Sequence, residues 1–178
     1  MTRVEAVLED ITVQRVDAVV NAANSTLLGG GGVDGAIHAA AGPALLEECR
    51  LLRRTTHPRG LAVGDAVATG AGDLACRWVV HTVGPNRHRG ETDPALLASC
   101  FARSLAVARE LGARSVAFPA VSAGAYGWDA GEVAEVAVDT VRSECRAHPG
   151  VELVRFVLFS EGLLGAFAAA LAGGADHS

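Results

Sequence analysis

Apolar positions along this chain follow two spacings, and they change over several times. Val4–Leu8, Asp17–Asn21, Ala66–Thr69, Trp78–Thr82 and Ser115–Phe118 are short runs rich in Val and Ala that read as strands. Leu153–Phe159 is almost continuously apolar, the pattern of a strand buried on both faces. Elsewhere the apolar residues return every three or four positions. Leu97, Phe101, Leu105, Ala108 and Leu111 form one helical stripe that Gly112 ends, and Val133, Val136, Ala137, Thr140 and Val141 form another. Val33–Ala41 and Ala44–Leu52 read as two helices broken at Gly42-Pro43, Leu163–Ala172 as a terminal helix, and Asp10-Ile11-Thr12 as a turn. Strands alternating with helices of this length predict an α/β fold, a three-layer α/β/α sandwich around a largely parallel or mixed central sheet.

In such sheets ligands bind beyond the carboxyl ends of the strands. Two segments with unusual composition sit there, Asn24–Gly32 and Ser122–Gly127. The first contains Gly29, Gly30, Gly31 and Gly32. Ordering four glycines costs more backbone entropy than ordering any other residues, so their presence points to a ligand that approaches the main chain closely. Loop N–H groups that feed a helix N-terminus favour an anion. A flexible linker would continue in Gly and Ser, whereas this run enters the patterned VDGAIHAAAG. Gly30, Gly32 and Gly35 satisfy GxGxxG, but the context of a dinucleotide fingerprint is missing. The second segment, within AFPAVSAGAYG, could alone be an ordinary turn; paired with the first, it suggests two jaws on one diphosphate.

Asp34 and His38 are the strongest candidates for chemistry. Four residues apart on a helix, they share a face at the mouth of the glycine run and could work as an acid–base pair. The same pattern also suits an acidic residue favoured by the helix dipole beside a partly buried, hydrogen-bonded histidine. Asp10 could accept hydrogen bonds from an exocyclic amine, or serve only as a turn or cap residue. His81, in a predicted strand, reads as a satisfied core histidine, and the cluster Arg50, Arg53, Arg54 and Arg59 as a solvated helix end.

Composition narrows the classes. The 178 residues, half of them hydrophobic, suffice for one buried core, so residues 1–172 are expected to form a single domain and 173–178 a disordered tail. The net charge is −5, and all fifteen basic residues are Arg. A P-loop lysine, a Schiff-base lysine and a polylysine patch are thereby excluded, leaving backbone N–H groups or arginine to hold any phosphate. Cys49, Cys76, Cys100 and Cys145 are too widely spaced for a CxxC zinc site and read as reduced thiols. The start MTRVEAVLED lacks the apolar run of a signal peptide, and no window approaches the ~18 apolar residues of a membrane span. A soluble, cytoplasmic protein is the expectation.

VDAVVNAANSTLLGGGGVDGAIHAAAG, followed in order by EEC, HTVGP, AFPAVSAGAYG and FVLF, resembles a macrodomain of the MacroD type from Asp10 to Phe159. The resemblance implies an ADP-ribose pocket. Asp10 and Ile11 would hold the adenine, with Phe159 packing on or near its ring. Gly30, Gly31, Gly32 and Val33 on one side, and Ser122, Ala123, Gly124, Ala125 and Tyr126 on the other, would embrace the diphosphate. Asn24, Asp34 and Tyr126 would surround the distal ribose. It further implies hydrolysis of mono-ADP-ribose esters on protein Asp and Glu side chains, and deacetylation of O-acetyl-ADP-ribose in some members, with Asn24, Asp34 and His38 catalytic and no metal or cofactor. ADP-ribose and mono-ADP-ribosylated proteins are the expected partners of a monomeric chain; the acidic balance disfavours nucleic acid. A non-catalytic ADP-ribose reader and a hydrolase of ADP-ribosylated nucleic acid are the alternatives. The sequence departs from the usual pattern at Glu9, where Gly is common, Ala39 (Arg), Ala123 (Thr or Ser) and Asp129 (Pro).

Overall fold

The computed structural model describes residues 1–174 of the chain. Six strands form one sheet: β1 (Arg3–Leu8), β2 (Ala18–Ala23), β3 (Ala66–Gly70), β4 (Trp78–Val83), β5 (Ser115–Phe118) and β6 (Leu153–Leu158), in the order β1-β6-β5-β2-β4-β3. All neighbouring pairs are parallel except β3 with β4, so the sheet is mixed. Five helices complete the fold: α1 (Gly32–Ala41), α2 (Pro43–Arg54), α3 (Pro94–Glu110), α4 (Ala130–Ala147) and α5 (Glu161–Gly174).

Residue alternation along the strands assigns the two faces. Ala18, Val20, Val80, Val116, Phe118, Val154 and Phe156 pack with residues of α3, α4 and α5, whereas Val19, Val79, Ala117 and Val157 pack with Ile37 and Ala41 of α1 and Leu45 of α2. This is the predicted three-layer α/β/α sandwich, and strands hydrophobic on both faces explain the near-continuous apolar runs. The larger layer is centred on Phe156, whose ring lies 6.0 Å from Phe118 and 4.9 Å from Phe167, centroid to centroid.

Three boundaries differ from the sequence reading in ways that matter. β2 runs to Ala23 rather than Asn21, because ladder bonds with β4 carry the weak strand formers Asn-Ala-Ala. Phe159 falls outside β6 and is 74% exposed. The expected tail from residue 173 is overlapped by α5, which continues through Gly174; residues 175–178 lie outside the described residues. The predicted break at Gly42-Pro43 is present: Gly42, at φ +81°, ends α1, and Pro43 opens α2.

Phe156→Ala would empty the centre of the aromatic cluster and is expected to cost about 3–5 kcal/mol of stability, measured by urea unfolding. A cost below about 1 kcal/mol would show that the surrounding rings collapse into the space.

Candidate functional site

The five parallel strands deliver their carboxyl ends to one edge of the sheet, where two adjoining cavities of about 510 and 490 Å³ share Gly32, Val33 and Phe159. Leu8, Glu9, Asp10 and Ile11 line the first; Asn24, Gly31, Asp34 and the loop Pro119–Tyr126 line the second. Of the residues predicted to form a pocket, only Gly30 and His38 are not on these walls, and both sit behind Asp34 or against it.

At the first end, Asp10 caps the 3-10 turn Ile11–Val13. Its Oδ1 accepts from Thr12 N at 2.8 Å and from Thr12 Oγ1 at 2.7 Å. These two donors pull its carboxyl below the usual aspartate range, the hydroxyl contributing most. The cap role and the position on the cavity wall therefore coexist, since capping uses Oδ1 alone.

The glycine loop is folded tightly onto the start of α1. Gly31 is the N-cap and supplies no side chain, so the first N–H groups of α1 have no capping partner. A methyl group on Gly30 would come within 2.9 Å of Asn24 Nδ2 and 3.2 Å of Asp34 Oδ2, and one on Gly35 within 2.6 Å of Gly30 O. Asn24 itself is fixed by the loop: Nδ2 donates to Gly29 O at 3.0 Å and Oδ1 accepts from Thr26 N at 3.0 Å.

The opposing loop is pinned from outside. Ser122 is buried with φ +70°, and its hydroxyl donates to Pro85 O at 2.8 Å, which leaves the backbone rather than the side chain to face the cavity. Gly84 permits this approach, because a Cβ there would lie 2.2 Å from Ser122 Oγ. Arg87 N donates to Tyr126 O at 2.9 Å, while its guanidinium stacks 4.0 Å from the Trp128 ring and pairs with Glu132.

Between the loops lies Asp34, only 4% exposed. Asn21 Nδ2 donates to its Oδ1 at 2.7 Å, and His38 Nε2 stands 3.4 Å from the same oxygen, within ion-pair reach but not aligned as a hydrogen bond. Oδ2 has no partner. Behind Asn21, a polar ladder crosses three strands beneath α1 and α2: Asn21 Nδ2 meets His81 Nδ1 at 3.2 Å, and His81 Nε2 meets Thr69 Oγ1 at 3.0 Å. Burial pushes the His81 pKa down to about 3, with nearby His38 adding to the effect. Burial likewise pushes the Cys49 thiol, 3.8 Å from His81 Nε2, up to about 12. His81 is thus the satisfied core histidine expected, but it is joined to Asp34. Asn21 was not among the expected site residues. Its signal was a lone amide on the inward alternation of an apolar strand. Among the described residues, no group of three or more His, Cys, Asp and Glu side chains is placed to hold a metal ion, and no helix is long and apolar enough to cross a membrane.

Residues 20–137 match the Macro domain family. The chain is 55% identical over 171 residues to a macro domain-containing protein of Streptomyces coelicolor, spanning 96% of this chain and 99% of that one. It is 48% identical over 160 residues to the O-acetyl-ADP-ribose deacetylase of Cronobacter sakazakii, spanning 89% and 88% respectively. Among solved structures it superposes on the Oceanobacillus iheyensis macrodomain with ADP at a TM-score of 0.92 and 36% identity, over 97% of this chain and 92% of that one.

Two measurements check this geometry. Gly30→Ala is expected to lower stability by about 1–3 kcal/mol through the clash with Asn24 and Asp34, whereas Gly31→Ala, which has open space around it, should stay within about 0.5 kcal/mol of wild type. Equal stability of the two variants would contradict the close approach. The second concerns His81, whose pKa falls from 6.5 unfolded to about 3 folded. Below pH 6.5 the unfolded chain takes up a proton that the folded chain refuses, so stability is full above that value and declines on acidification. The slope from this one group is about 1.4 kcal/mol per pH unit. Urea midpoints should fall more steeply from neutral pH to about pH 5 in wild type than in a folded His81→Gln variant; equal slopes would contradict a buried neutral His81.

Proposed function

The chain belongs to the macro domain family, and from that premise we propose that it binds ADP-ribose and hydrolyses mono-ADP-ribose esters on protein Asp and Glu side chains, with O-acetyl-ADP-ribose as a second substrate. Both substrates are carboxylic esters of the distal ribose, and the deacetylase relative and the ADP-bound macrodomain support the reading. The observation that carries it is Asp34, a nearly buried carboxylate with one oxygen held by Asn21 and the other without a partner, standing between two loops of exposed main chain.

Asp10 accepts the adenine amine through its uncommitted oxygen, Ile11 supports the base and Phe159 covers it. The diphosphate lies between the uncapped start of α1, at Gly31, Gly32 and Val33, and the main chain of Ser122–Tyr126, both of which favour an anion. Asn24 and Tyr126 flank the distal ribose. Gly30, against Asp34 Oδ2, moves aside for the substrate, a displacement that a four-glycine main chain allows. Asp34 then orients or deprotonates the water, which adds across the ester to release the free acid and ADP-ribose. His38, behind the same carboxylate, acts through Asp34. With a net charge of −5, the protein presents few groups to neutralise a polyphosphate backbone, which favours protein-linked esters over nucleic-acid ones.

Asp34→Ala is expected to slow single-turnover hydrolysis of a Glu-modified protein by ~10²–10⁴, with His38→Ala milder, while calorimetry still detects ADP-ribose binding by both variants. Wild-type turnover by Asp34→Ala would reduce the carboxylate to a helix-end charge and remove it from the mechanism.

A further inference from the structure

The polar ladder behind Asp34 has a direction. Thr69, His81 and Asn21 stand on three adjacent strands, β3, β4 and β2, and project from the same face; Asn21 and His81 are opposite one another in register. None is more than 7% exposed, so water does not set their hydrogen bonding. Thr69 Oγ1 lies 2.9 Å from Gly70 O, which can only accept, so the single hydroxyl hydrogen goes there. The hydroxyl oxygen, 3.0 Å from His81 Nε2, is then the acceptor in that contact. A neutral imidazole carries one hydrogen, and an acceptor at Thr69 Oγ1 calls for it on Nε2, leaving Nδ1 bare. Nδ1 in turn requires a donor from Asn21, which orients the amide nitrogen rather than its oxygen toward it at 3.2 Å. The second hydrogen of that nitrogen reaches Asp34 Oδ1 at 2.7 Å.

We propose that His81 is a positioning residue for the hydrolysis, and that Thr69 selects the imidazole tautomer through which His81 holds the Asn21 amide against Asp34. The opposite tautomer would offer Nδ1–H to Asn21 and draw the amide oxygen round, setting it against a carboxylate oxygen. Asp34 would then face a lone pair where it now receives a hydrogen, and its carboxylate would lose the one hydrogen bond that fixes its orientation. His81 lines neither of the two cavities, so the hydrogen bonds that carry its influence toward Asp34 run through Asn21. The role rests on the ester-hydrolysis reading above, because it is Asp34 of that mechanism that is being held.

Long-range proton–nitrogen correlation spectra of the ¹⁵N-labelled chain report the tautomer directly. In wild type near neutral pH, His81 should be neutral with its hydrogen on Nε2; a hydrogen on Nδ1 overturns the proposal whatever any variant does. Thr69→Val removes the accepting hydroxyl at nearly constant volume. It should release the tautomer preference and slow ester hydrolysis about tenfold, the effect of one lost buried hydrogen bond, with the ADP-ribose Kd held within about twofold. Thr69→Ser should restore both tautomer and rate. A Thr69→Val protein whose tautomer changes but whose hydrolysis does not would overturn the positioning role, as would failure of the serine variant to rescue. Should the wild-type chain hydrolyse neither ester, the functional reading fails separately, and the wild-type tautomer still decides the ladder.

Discussion

Burying a carboxylate at the top of a sheet is the constraint around which this groove is arranged. Removing Asp34 from water costs several kcal/mol unless donors and dipoles replace the hydration. The replacement here is incomplete by design of the backbone: one N–H from Asn21, the first turn of α1 with its N-terminal partial positive charge, and His38 alongside. One oxygen is left without a donor. A protein that needed Asp34 only as a helix-end charge would keep it on the surface, where hydration is free. Held in the wall of a groove with one oxygen unpaired, it keeps acceptor capacity that no group of the protein uses.

The glycines follow from the same constraint. Gly30 and Gly35 allow the loop to lie directly on Asn24, Asp34 and the first turn of α1, and a side chain at either would lift it off. Across the groove the problem is solved differently, by strain. Ser122 adopts a left-handed conformation that few non-glycine residues hold, and its hydroxyl bond to Pro85 O together with the absent side chain of Gly84 keeps it there. Both loops end up presenting main chain, in a protein whose basic residues are all arginine.

What could be read from the sequence was local. Asp34 and His38 are one helical turn apart, and helical spacing alone brings them together; the two glycine-bearing loops announce themselves by composition. What could not be read depends on strand order. Nothing in HTVGP says that β4 lies beside β2, so nothing says that His81 faces Asn21, and Thr69 becomes relevant only once β3 is antiparallel on the far side of β4. The end of β2 was set too early for a related reason, since Asn and Ala are poor strand formers and it is pairing with β4 that extends the strand. Gly30 lies against Asn24 and Asp34, a close approach that composition does not carry.

The four departures from the usual macrodomain pattern are accommodated without altering this arrangement. Glu9 is on the wall near Asp10, and its Oε1 accepts from Gln14 Nε2 at 3.0 Å, while Gln14 Oε1 accepts from Arg155 at 3.0 Å, so its carboxylate is tied to a side chain outside the wall. Ala39 is exposed on α1. Ala123 sits in the pinned loop, where the main chain carries the geometry. Asp129 is the most informative of them. Its φ of −66° is the value a proline ring imposes, so the backbone there is one that either residue adopts. The aspartate adds what proline cannot: Oδ2 accepts from Glu132 N at 3.2 Å and caps α4. Glu132, whose N–H it accepts, in turn pairs with the Arg87 guanidinium, while the Arg87 backbone N–H donates to Tyr126 O. A substitution that looks from sequence like a perturbation of this loop therefore keeps its backbone and caps the helix that follows it.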